Sequence, residues 1–368
     1  MKILYSCFSR SWGGLEMSTV RGVKQLLDRN FEAELICFPE SRIHAEAILQ
    51  GIKTHCFNVD GYFNPQQILK IRKFLSNSNF DIIHSHASQD LWALVLAIKL
   101  TSKNIPLLLT KRVGSFIVKK DPLHNFLYKN LTCAIAISAV IEKNLIETTA
   151  LTSEKIKLIH NGIDLKKFNP LNVKGSVRQE FKIPNDKLVI GFIGRFTKGK
   201  GHEEFIEAAE ILSKKYASLI FLITGEASRD EESYEAKIRN LVHQKELNDK
   251  LIFTGYRNDT PEVLSAMDIF VFPSHSEAFG NALVEAMAME KPTVASNSDG
   301  VLDIAQDGIT SFLFQNKESD DLAAKIEQLI NDQEKRKDFG RAGRKRVIEK
   351  FDREKQMDKL IGLYKSYI

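Results

Sequence analysis

Residues 273–292 have the sequence PSHSEAFGNALVEAMAMEKP, which places two carboxylates, Glu277 and Glu285, eight positions apart. Between residues 282 and 289 every side chain except Glu285 is apolar, which predicts a helix buried nearly all round, with Asn281 as its cap. A buried glutamate needs a polar partner. The free amides of the first helical turn also favour an anion such as phosphate. We therefore expect a ligand site here; the alternative is a core helix with an internally paired glutamate.

The length and composition of the chain indicate two globular domains. Its 368 residues exceed one typical core, and 43% hydrophobic with 27% charged residues argue against disorder. The apolar residues 1–8 are too few for a membrane span and lack a cleavage pattern, so they predict a first strand. The cysteines lack metal-ligand spacing and predict buried thiols in a reducing cytoplasm, with no zinc site. They are Cys7, Cys37, Cys56 and Cys133.

The net charge of +5 is unevenly distributed along the chain. Residues 1–170 carry 22 Lys and Arg against 14 Asp and Glu, whereas the remainder carries 30 against 33. Because an excess of positive charge attracts anions, the first half is predicted to face a membrane surface or a phosphorylated acceptor. An ordinary solvated surface is the alternative. No nucleic-acid partner is expected.

Apolar, β-branched runs alternate with amphipathic segments in both halves of the chain, which predicts an α/β fold with two Rossmann-like, doubly wound parallel sheets. The predicted strands are 2–7, 33–38, 81–84, 107–110, 133–137, 157–160, 188–193, 219–224, 251–253, 269–272 and 293–296. The predicted domains are 1–170 and 187–350, joined by a linker at 171–186. A C-terminal helix at 351–368 is expected to pack back on the first domain. Ligands bind beyond the carboxyl ends of parallel strands, so we expect the domains to face each other across a cleft.

Three features of the first half are candidates for binding. Gly13 and Gly14 follow the first strand and open a helix, which lets backbone amides approach a phosphate or sugar; a turn without a ligand is the alternative. Their spacing is not G-x-G-x-x-G, so a nicotinamide cofactor is not favoured. His86 stands at the carboxyl end of a predicted strand. Its imidazole either points into the cleft or is an ordinary packed or surface side chain. The segment 111–129 mixes cations with apolar groups, which suits an anionic bilayer or an ordinary amphipathic surface.

The second half begins with a basic glycine loop, GRFTKGKG at residues 194–201. Arg195 offers a planar fork of donors and Lys200 a point charge, and both suit a diphosphate. The loop is not a Walker A sequence, because the Gly-Lys-Ser/Thr order is missing, and a solvated basic turn is the alternative. Tyr256 follows the predicted strand 251–253. Its ring is predicted to lie against a nucleobase; a core tyrosine is the alternative.

The order of these motifs resembles that of the retaining nucleotide-sugar glycosyltransferases of glycosyltransferase family 4, which have the GT-B architecture. The resemblance extends over nearly the whole chain, through the motifs at 13–16, 81–86, 135–138, 160–164, 194–201 and 277–287. It implies that the second domain binds the donor. Arg195 and Lys200 would hold the diphosphate, while Glu285 would bind the ribose hydroxyls and Glu277 the donor sugar.

The resemblance assigns further contacts. The amides near Phe279, Gly280 and Asn281 would bind sugar and phosphate. Gly13 and Gly14 would close over the diphosphate, and His86 is similar to the family's acceptor-side histidine. One departure concerns the stretch after the strand 293–296, where the family often has Gly-x-x-Glu and this chain has Gly-Val-Leu-Asp, with a shorter carboxylate.

These observations predict a retaining, metal-independent hexosyltransferase that moves a sugar from a UDP- or GDP-sugar to a hydroxyl of a glycan or lipid-linked acceptor. The expected setting is the synthesis of lipopolysaccharide, capsule or glycolipid in the cytoplasm, peripherally at the inner face of the cytoplasmic membrane. No cofactor is expected besides the nucleotide-sugar co-substrate. Two alternatives stay open: a GT-B-like nucleotide-sugar epimerase, and a non-catalytic subunit that binds nucleotide or carbohydrate. The nucleobase, the sugar and the acceptor are not specified by these motifs.

Overall fold

The computed structural model describes residues 1–228 and 230–368. The chain divides into two compact units. The first is formed by Met1–His160 with Met357–Ile368, and the second by Asn161–Gln356. Among the residues described, no helix is both long enough and apolar enough to cross a bilayer.

The first unit alternates strands and helices around a parallel sheet. Its elements are β1 (Lys2–Cys7), α1 (Gly14–Asp28), β2 (Glu32–Cys37), α2 (Arg42–Leu49), β3 (Thr54–Cys56), α3 (Pro65–Ser76), β4 (Ile82–Ser85), α4 (Leu91–Lys99), β5 (Leu107–Lys111), α5 (Pro122–Lys129), β6 (Cys133–Ala136), α6 (Ala139–Thr148) and β7 (Ile156–Leu158). The strand order is β3-β2-β1-β4-β5-β6-β7. The order reverses between β1 and β4, where open α/β sheets bind their ligands.

The second unit repeats this plan. Its elements are α7 (Ser176–Glu180), β8 (Leu188–Ile193), α8 (His202–Lys215), β9 (Leu219–Thr224), α9 (Glu232–Gln244), β10 (Leu251–Gly255), α10 (Thr260–Ala266), β11 (Ile269–Phe272), α11 (Asn281–Ala288), β12 (Thr293–Ser296), α12 (Val301–Ile304), β13 (Ser311–Phe314), α13 (Ser319–Asn331) and α14 (Gln333–Lys350), followed by α15 (Arg353–Lys365). The strand order is β10-β9-β8-β11-β12-β13, so the reversal lies between β8 and β11.

The apolar runs of the sequence become strands because helices cover both faces of each parallel sheet. The predicted Rossmann-like fold of both halves is therefore confirmed. The predicted return of the C-terminal helix is confirmed as well, since Met357, Ile361 and Tyr364 belong to the core of the first unit.

Three details differ from the sequence predictions. The strands β3 and β13, which were not predicted from the sequence, are additional and form the edges of the two sheets. Cys56 is exposed on the edge strand β3, so the prediction of buried thiols is wrong for this cysteine, although the other three are buried. The segment 171–186, predicted as a linker, packs within the second unit, where Arg178 donates to the Asp268 carboxylate at 2.7 Å.

Candidate functional site

Two loops of the second unit meet at its switch point. Residues 194–201 follow β8 and lead into α8, and residues 273–280 follow β11 and lead into α11. Gly201 has a φ of +83°, and a Cβ on it would lie 2.2 Å from the carbonyl oxygen of Pro273. Only glycine permits both this backbone conformation and this approach. The glycines of the basic loop therefore bring it against the loop that carries Glu277.

His275 ties the same two loops together. Its backbone N–H donates to the carbonyl oxygen of Gly199 at 2.9 Å. Its ring Nε2 lies 2.7 Å from Oε1 of Glu204, in the first turn of α8. Glu204 and His275 are 71 residues apart, so no local pattern of the sequence predicts their contact, although His275 lies within the stretch 273–292.

The Lys200 ammonium and the Glu277 carboxylate form an ion pair where the loops meet. Their side chains are 24% and 18% exposed, so both are partly desolvated and still accessible. The structure thus brings together the predicted phosphate-binding cation and the predicted sugar-binding carboxylate. A phosphate would meet the ammonium here, and a sugar hydroxyl would meet the carboxylate.

The start of α11 completes this corner of the second unit. Its N-cap is Gly280, with φ of +112°, and not Asn281 as predicted; Asn281 is the first helical residue and is exposed. The first amides of the helix have no acceptor within it, and the helix dipole adds positive potential there. Glu285 is half-buried, not buried as predicted, because it lies one turn from Asn281 on the same, more open face of α11. The buried Phe279 packs edge-on against Phe351, with 5.7 Å between ring centroids.

Two further predicted residues lie on neighbouring loops of the second unit. Arg195 is exposed, and its Nη1 donates to the Ser228 hydroxyl at 3.1 Å. Tyr256, directly after β10, is 68% exposed, so the alternative of a core tyrosine is wrong. Both side chains are accessible to a ligand at the carboxyl edge of the sheet.

The first unit has its own cavity, of about 280 Å³, at the carboxyl ends of β1, β4 and β5. The predicted His86 lines it and is 4% exposed, with its ring 4.4 Å from that of His84 and 4.7 Å from that of Tyr5. Burial lowers the pKa of His86 well below its usual value, so the ring is neutral. Within the described residues, neither ring nitrogen of His86 has a hydrogen-bond partner.

A buried polar network supports this cavity. Nδ1 of His84 lies 2.5 Å from the Tyr364 hydroxyl and Nε2 lies 2.7 Å from the Thr110 hydroxyl, while the Tyr5 and Tyr364 hydroxyls are 3.0 Å apart. Burial lowers the pKa of His84 to about 3 and raises that of Tyr5 to about 12, so the network is uncharged at neutral pH. Neutral hydrogen bonds thus link side chains of β1, β4, β5 and α15 in this part of the first unit.

Two carboxylates also line the cavity. Asp90 is buried and accepts hydrogen bonds from the Ser6 hydroxyl and from the N–H of Phe8, and burial raises its pKa to about 7. Glu16 accepts from the N–H of Gly13 at 2.9 Å. A Cβ built on Gly14 would meet no atom within 4 Å, so packing does not require a glycine there.

The predicted site residues thus form two groups, one in each unit. Lys200, Glu277 and the start of α11 lie together in the second unit, whereas Gly13, Gly14 and His86 lie in the first. The roles assigned to these residues stay predictions. Among the residues that the structure describes, no three His, Cys, Asp or Glu side chains are placed to hold a metal ion.

Two Rossmann-like units of this kind, with a basic glycine loop that meets the Glu277 loop ahead of a helix bearing Glu285, define a glycosyltransferase of the GT-B class. Comparison with family models gives the same result. Residues 12–167 match the model described as Glycosyltransferase Family 4, and residues 173–346 match the model described as Glycosyl transferases group 1. The chain belongs to the family 4 type of GT-B glycosyltransferases.

Curated relatives and solved structures agree with this assignment. The chain is 34% identical over 247 residues to the capsular polysaccharide biosynthesis glycosyltransferase CapM of Staphylococcus aureus; the match spans 64% of this chain and 62% of CapM. It is 25% identical to the UDP-Gal:alpha-D-GlcNAc-diphosphoundecaprenol alpha-1,3-galactosyltransferase of Escherichia coli, over 95% of this chain and 93% of the relative.

Two solved structures share the fold over the whole chain. A glycosyltransferase from Rickettsia africae has a TM-score of 0.91 at 24% identity, covering 100% of this chain and 98% of the other. HepE of Anabaena, in complex with UDP and glucose, has a TM-score of 0.82 at 22% identity, covering 100% of both chains. At these identities the likeness shows the fold.

Proposed function

We propose that this glycosyltransferase is a retaining, metal-independent hexosyltransferase that uses a UDP- or GDP-sugar. Its acceptor would be a hydroxyl of a cell-envelope glycan or lipid-linked saccharide. The proposal depends above all on the contact between Lys200 and Glu277 beside the start of α11. This arrangement offers a cation and free amides to a diphosphate and a carboxylate to sugar hydroxyls. The names of the CapM and galactosyltransferase relatives support the cell-envelope acceptor.

In the proposed reaction the bond between the anomeric carbon and the diphosphate oxygen breaks, and negative charge accumulates on the departing nucleoside diphosphate. Lys200 and Arg195 would stabilise that charge. The acceptor oxygen would attack the face that the leaving group vacates, and the leaving phosphate would take its proton. His86 is a weak base, because its pKa is lowered, so its role would be to hydrogen-bond the acceptor.

The remaining contacts would fix the nucleoside. Glu285, half-exposed on α11, would accept hydrogen bonds from the ribose hydroxyls. The exposed ring of Tyr256 would lie against the nucleobase. Gly13 and Gly14 would close over the diphosphate, and the open space beside Gly14 would let a ligand approach its backbone.

A thermal-unfolding screen of nucleotides and nucleotide sugars tests the donor class. A ligand at 100 times its Kd adds about 2.7 kcal/mol to the free energy of unfolding. We expect UDP, GDP or one of their sugars to raise the unfolding midpoint, and CMP-linked sugars to leave it unchanged. The absence of a shift with every UDP and GDP ligand would contradict the proposal.

The stereochemistry and the metal requirement are tested on the product. We expect nucleoside diphosphate release to depend on an acceptor, to persist in EDTA and to give a product whose anomeric proton shows the donor's configuration by NMR. An inverted product would refute retention, and activity lost in EDTA and restored by a divalent cation would refute metal independence. Conversion of the donor without any acceptor would favour the epimerase alternative.

The proposal includes attachment of the first unit to an anionic membrane surface. The segment 113–126 exposes a cluster of large apolar side chains, namely Val113, Phe116, Ile117, Val118, Leu123 and Phe126. Phe116 is fully exposed, and Lys119 and Lys120 follow in the same segment. Exposed apolar groups flanked by cations suit the interface of a bilayer with negative headgroups.

Co-sedimentation with vesicles tests this attachment. We expect binding to vesicles that contain phosphatidylglycerol, weakening as salt is raised, and less binding when Phe116 and Ile117 are both changed to Ser. Leu171→Ser, an equally exposed leucine of the second unit, is the matched control. Equal binding to pure phosphatidylcholine vesicles would refute the electrostatic part.

A further inference from the structure

Lys111 is a cation that the proposed chemistry leaves without a role. It is the last residue of β5 and lines the cavity of the first unit. Its Nζ lies 3.2 Å from the hydroxyl of Ser88, which is a neutral partner. Across residues 1–228 and 230–368, no carboxylate pairs with Lys111. Burial, and repulsion by Lys119, lower the pKa of Lys111 to about 8.

An ammonium group that is largely withdrawn from water, next to a second positive charge, is destabilised unless an anion joins it. Lys119 is half-buried, and burial lowers its pKa as well. Arg112 lines the same cavity and adds a third positive charge, its pKa lowered to about 10 by burial. The β5 side of the cavity is therefore strongly positive.

The carboxylates of the cavity do not neutralise this side. Asp90 bonds to Ser6 and Phe8, and Glu16 bonds to Gly13, so both are engaged by β1 or by the residues that follow it. In the sheet, β4 lies between β1 and β5, and His86 follows β4. The carboxyl groups of the cavity thus lie beside β1 and its cations beside β5, and within the described residues the imidazole between them has no hydrogen-bond partner.

We propose that this cavity binds a phosphate or diphosphate ester group of the acceptor through Lys111, with His86 donating a hydrogen bond to the same ligand and the charge of Lys119 adding attraction from outside the lining. A volume of about 280 Å³ suits a headgroup and not an entire lipid-linked saccharide. The inference rests on the proposed function, because only a transferase needs an acceptor. It narrows the acceptor to one that carries an anionic phosphate, as opposed to an uncharged glycan.

Calorimetric titration of the full chain with four probes tests this site. The probes are geranyl diphosphate, geranyl monophosphate, geraniol and inorganic diphosphate. We expect the anionic probes to bind and geraniol not to bind. The Kd of geranyl diphosphate should rise by at least about tenfold in Lys111→Ala and by less in Lys119→Ala, and it should return towards the wild-type value in Lys111→Arg. Lys70→Ala, an exposed lysine on α3, is the matched control.

The probes also distinguish the source of the anion. Equal affinity for inorganic diphosphate and geranyl diphosphate indicates that the phosphate alone is recognised, whereas tighter binding of the geranyl ester indicates a lipid-linked acceptor. Binding of geraniol as tight as that of geranyl diphosphate, or an unchanged Kd in both lysine variants, would overturn the proposal. Unfolding midpoints of the variants show that they are folded, and Lys111→Gln replaces any alanine variant that is not.

This experiment can refute the proposed anion site and the proposed donor site independently of each other. UDP and GDP are titrated in parallel, and we expect Lys200→Ala to weaken their binding and leave that of geranyl diphosphate unchanged. Loss of geranyl diphosphate binding in Lys200→Ala would place the probe in the second unit and overturn the inference. If neither nucleotide bound while the probe still required Lys111, the proposed function would fail and the anion site would stand.

Discussion

The contact between Lys200 and Glu277 combines charge neutralisation with two kinds of hydrogen-bonding group. Each side chain neutralises the other, so neither charge is left unpaired in a partly buried position. Each also presents what the other lacks, since the ammonium donates to phosphate oxygens and the carboxylate accepts from hydroxyls. The pair is held by backbone geometry at Gly201 and by the contacts of His275 with Gly199 and Glu204.

His202, the first residue of α8, makes stability depend on pH. Its buried ring stacks on Phe196 at 4.6 Å between centroids, and within the described parts of the chain its ring nitrogens have no partner. Burial lowers its pKa to about 4, from about 6.5 when unfolded. Below pH 6.5 the unfolded chain therefore binds a proton that the folded chain does not, so stability falls as the pH is lowered from 6.5 towards 4.

We predict that His202→Phe removes part of this pH dependence. Between pH 7 and pH 5 the wild type should lose about 1–2 kcal/mol more unfolding free energy than the variant does, measured by urea denaturation at each pH. His243→Phe, at an exposed position of α9, is the control. The same loss in the wild type and in His202→Phe would refute this assignment.

At the scale of elements, the left-handed N-cap of α11 contributes both to stability and to the proposed nucleotide site. The variant Gly280→Ala tests this contribution. An alanine at φ of +112° is strained, and its Cβ would lie 3.3 Å from Phe272 and 3.4 Å from Ile304. We expect Gly280→Ala to lower the free energy of unfolding by about 1–2 kcal/mol and to weaken nucleotide binding. The measurement is chemical denaturation with nucleotide titration.

Gly362→Ala is the matched control for Gly280→Ala. Gly362 lies within α15, and a Cβ there would meet no atom within 4 Å. Alanine is the better helix former, so this variant should be as stable as the wild type or up to about 1 kcal/mol more stable. If Gly280→Ala were equally stable, the left-handed cap would have no structural importance.

The elements were predictable from the sequence where the pattern is local. The strands β1, β8 and β9 have the predicted bounds because their apolar runs are sharply bordered. The cap of α11 was not predicted, because an asparagine before an apolar run is typical of an N-cap and only the backbone shows that Gly280 takes that position. The half-exposure of Glu285 likewise depends on what covers the helix, which its own sequence does not specify.

At the scale of the molecule, the charge asymmetry follows the structural division. The first unit, Met1–His160 with Met357–Ile368, again carries 22 Lys and Arg against 14 Asp and Glu. Its core is completed by Tyr364, which lies 280 residues from His84 along the chain. Contacts of such sequence separation have no local pattern, so the polar network under His86 could not be predicted. The charged motifs of the two units could be predicted from the sequence, because each is a short run of residues that follows a strand.

The central claim is that the loop 194–201 of the second unit stabilises the leaving diphosphate through Lys200. Turnover of the nucleotide sugar by Lys200→Ala, measured beside Lys198→Ala, tests it most directly. Lys198 is an exposed lysine of the same loop, so the pair separates a specific contact from the general charge of the loop. We predict a fall in kcat of about 10²- to 10³-fold for Lys200→Ala and wild-type turnover for Lys198→Ala, with both variants folded. Near-normal turnover in Lys200→Ala, or equal losses in both variants, would contradict it.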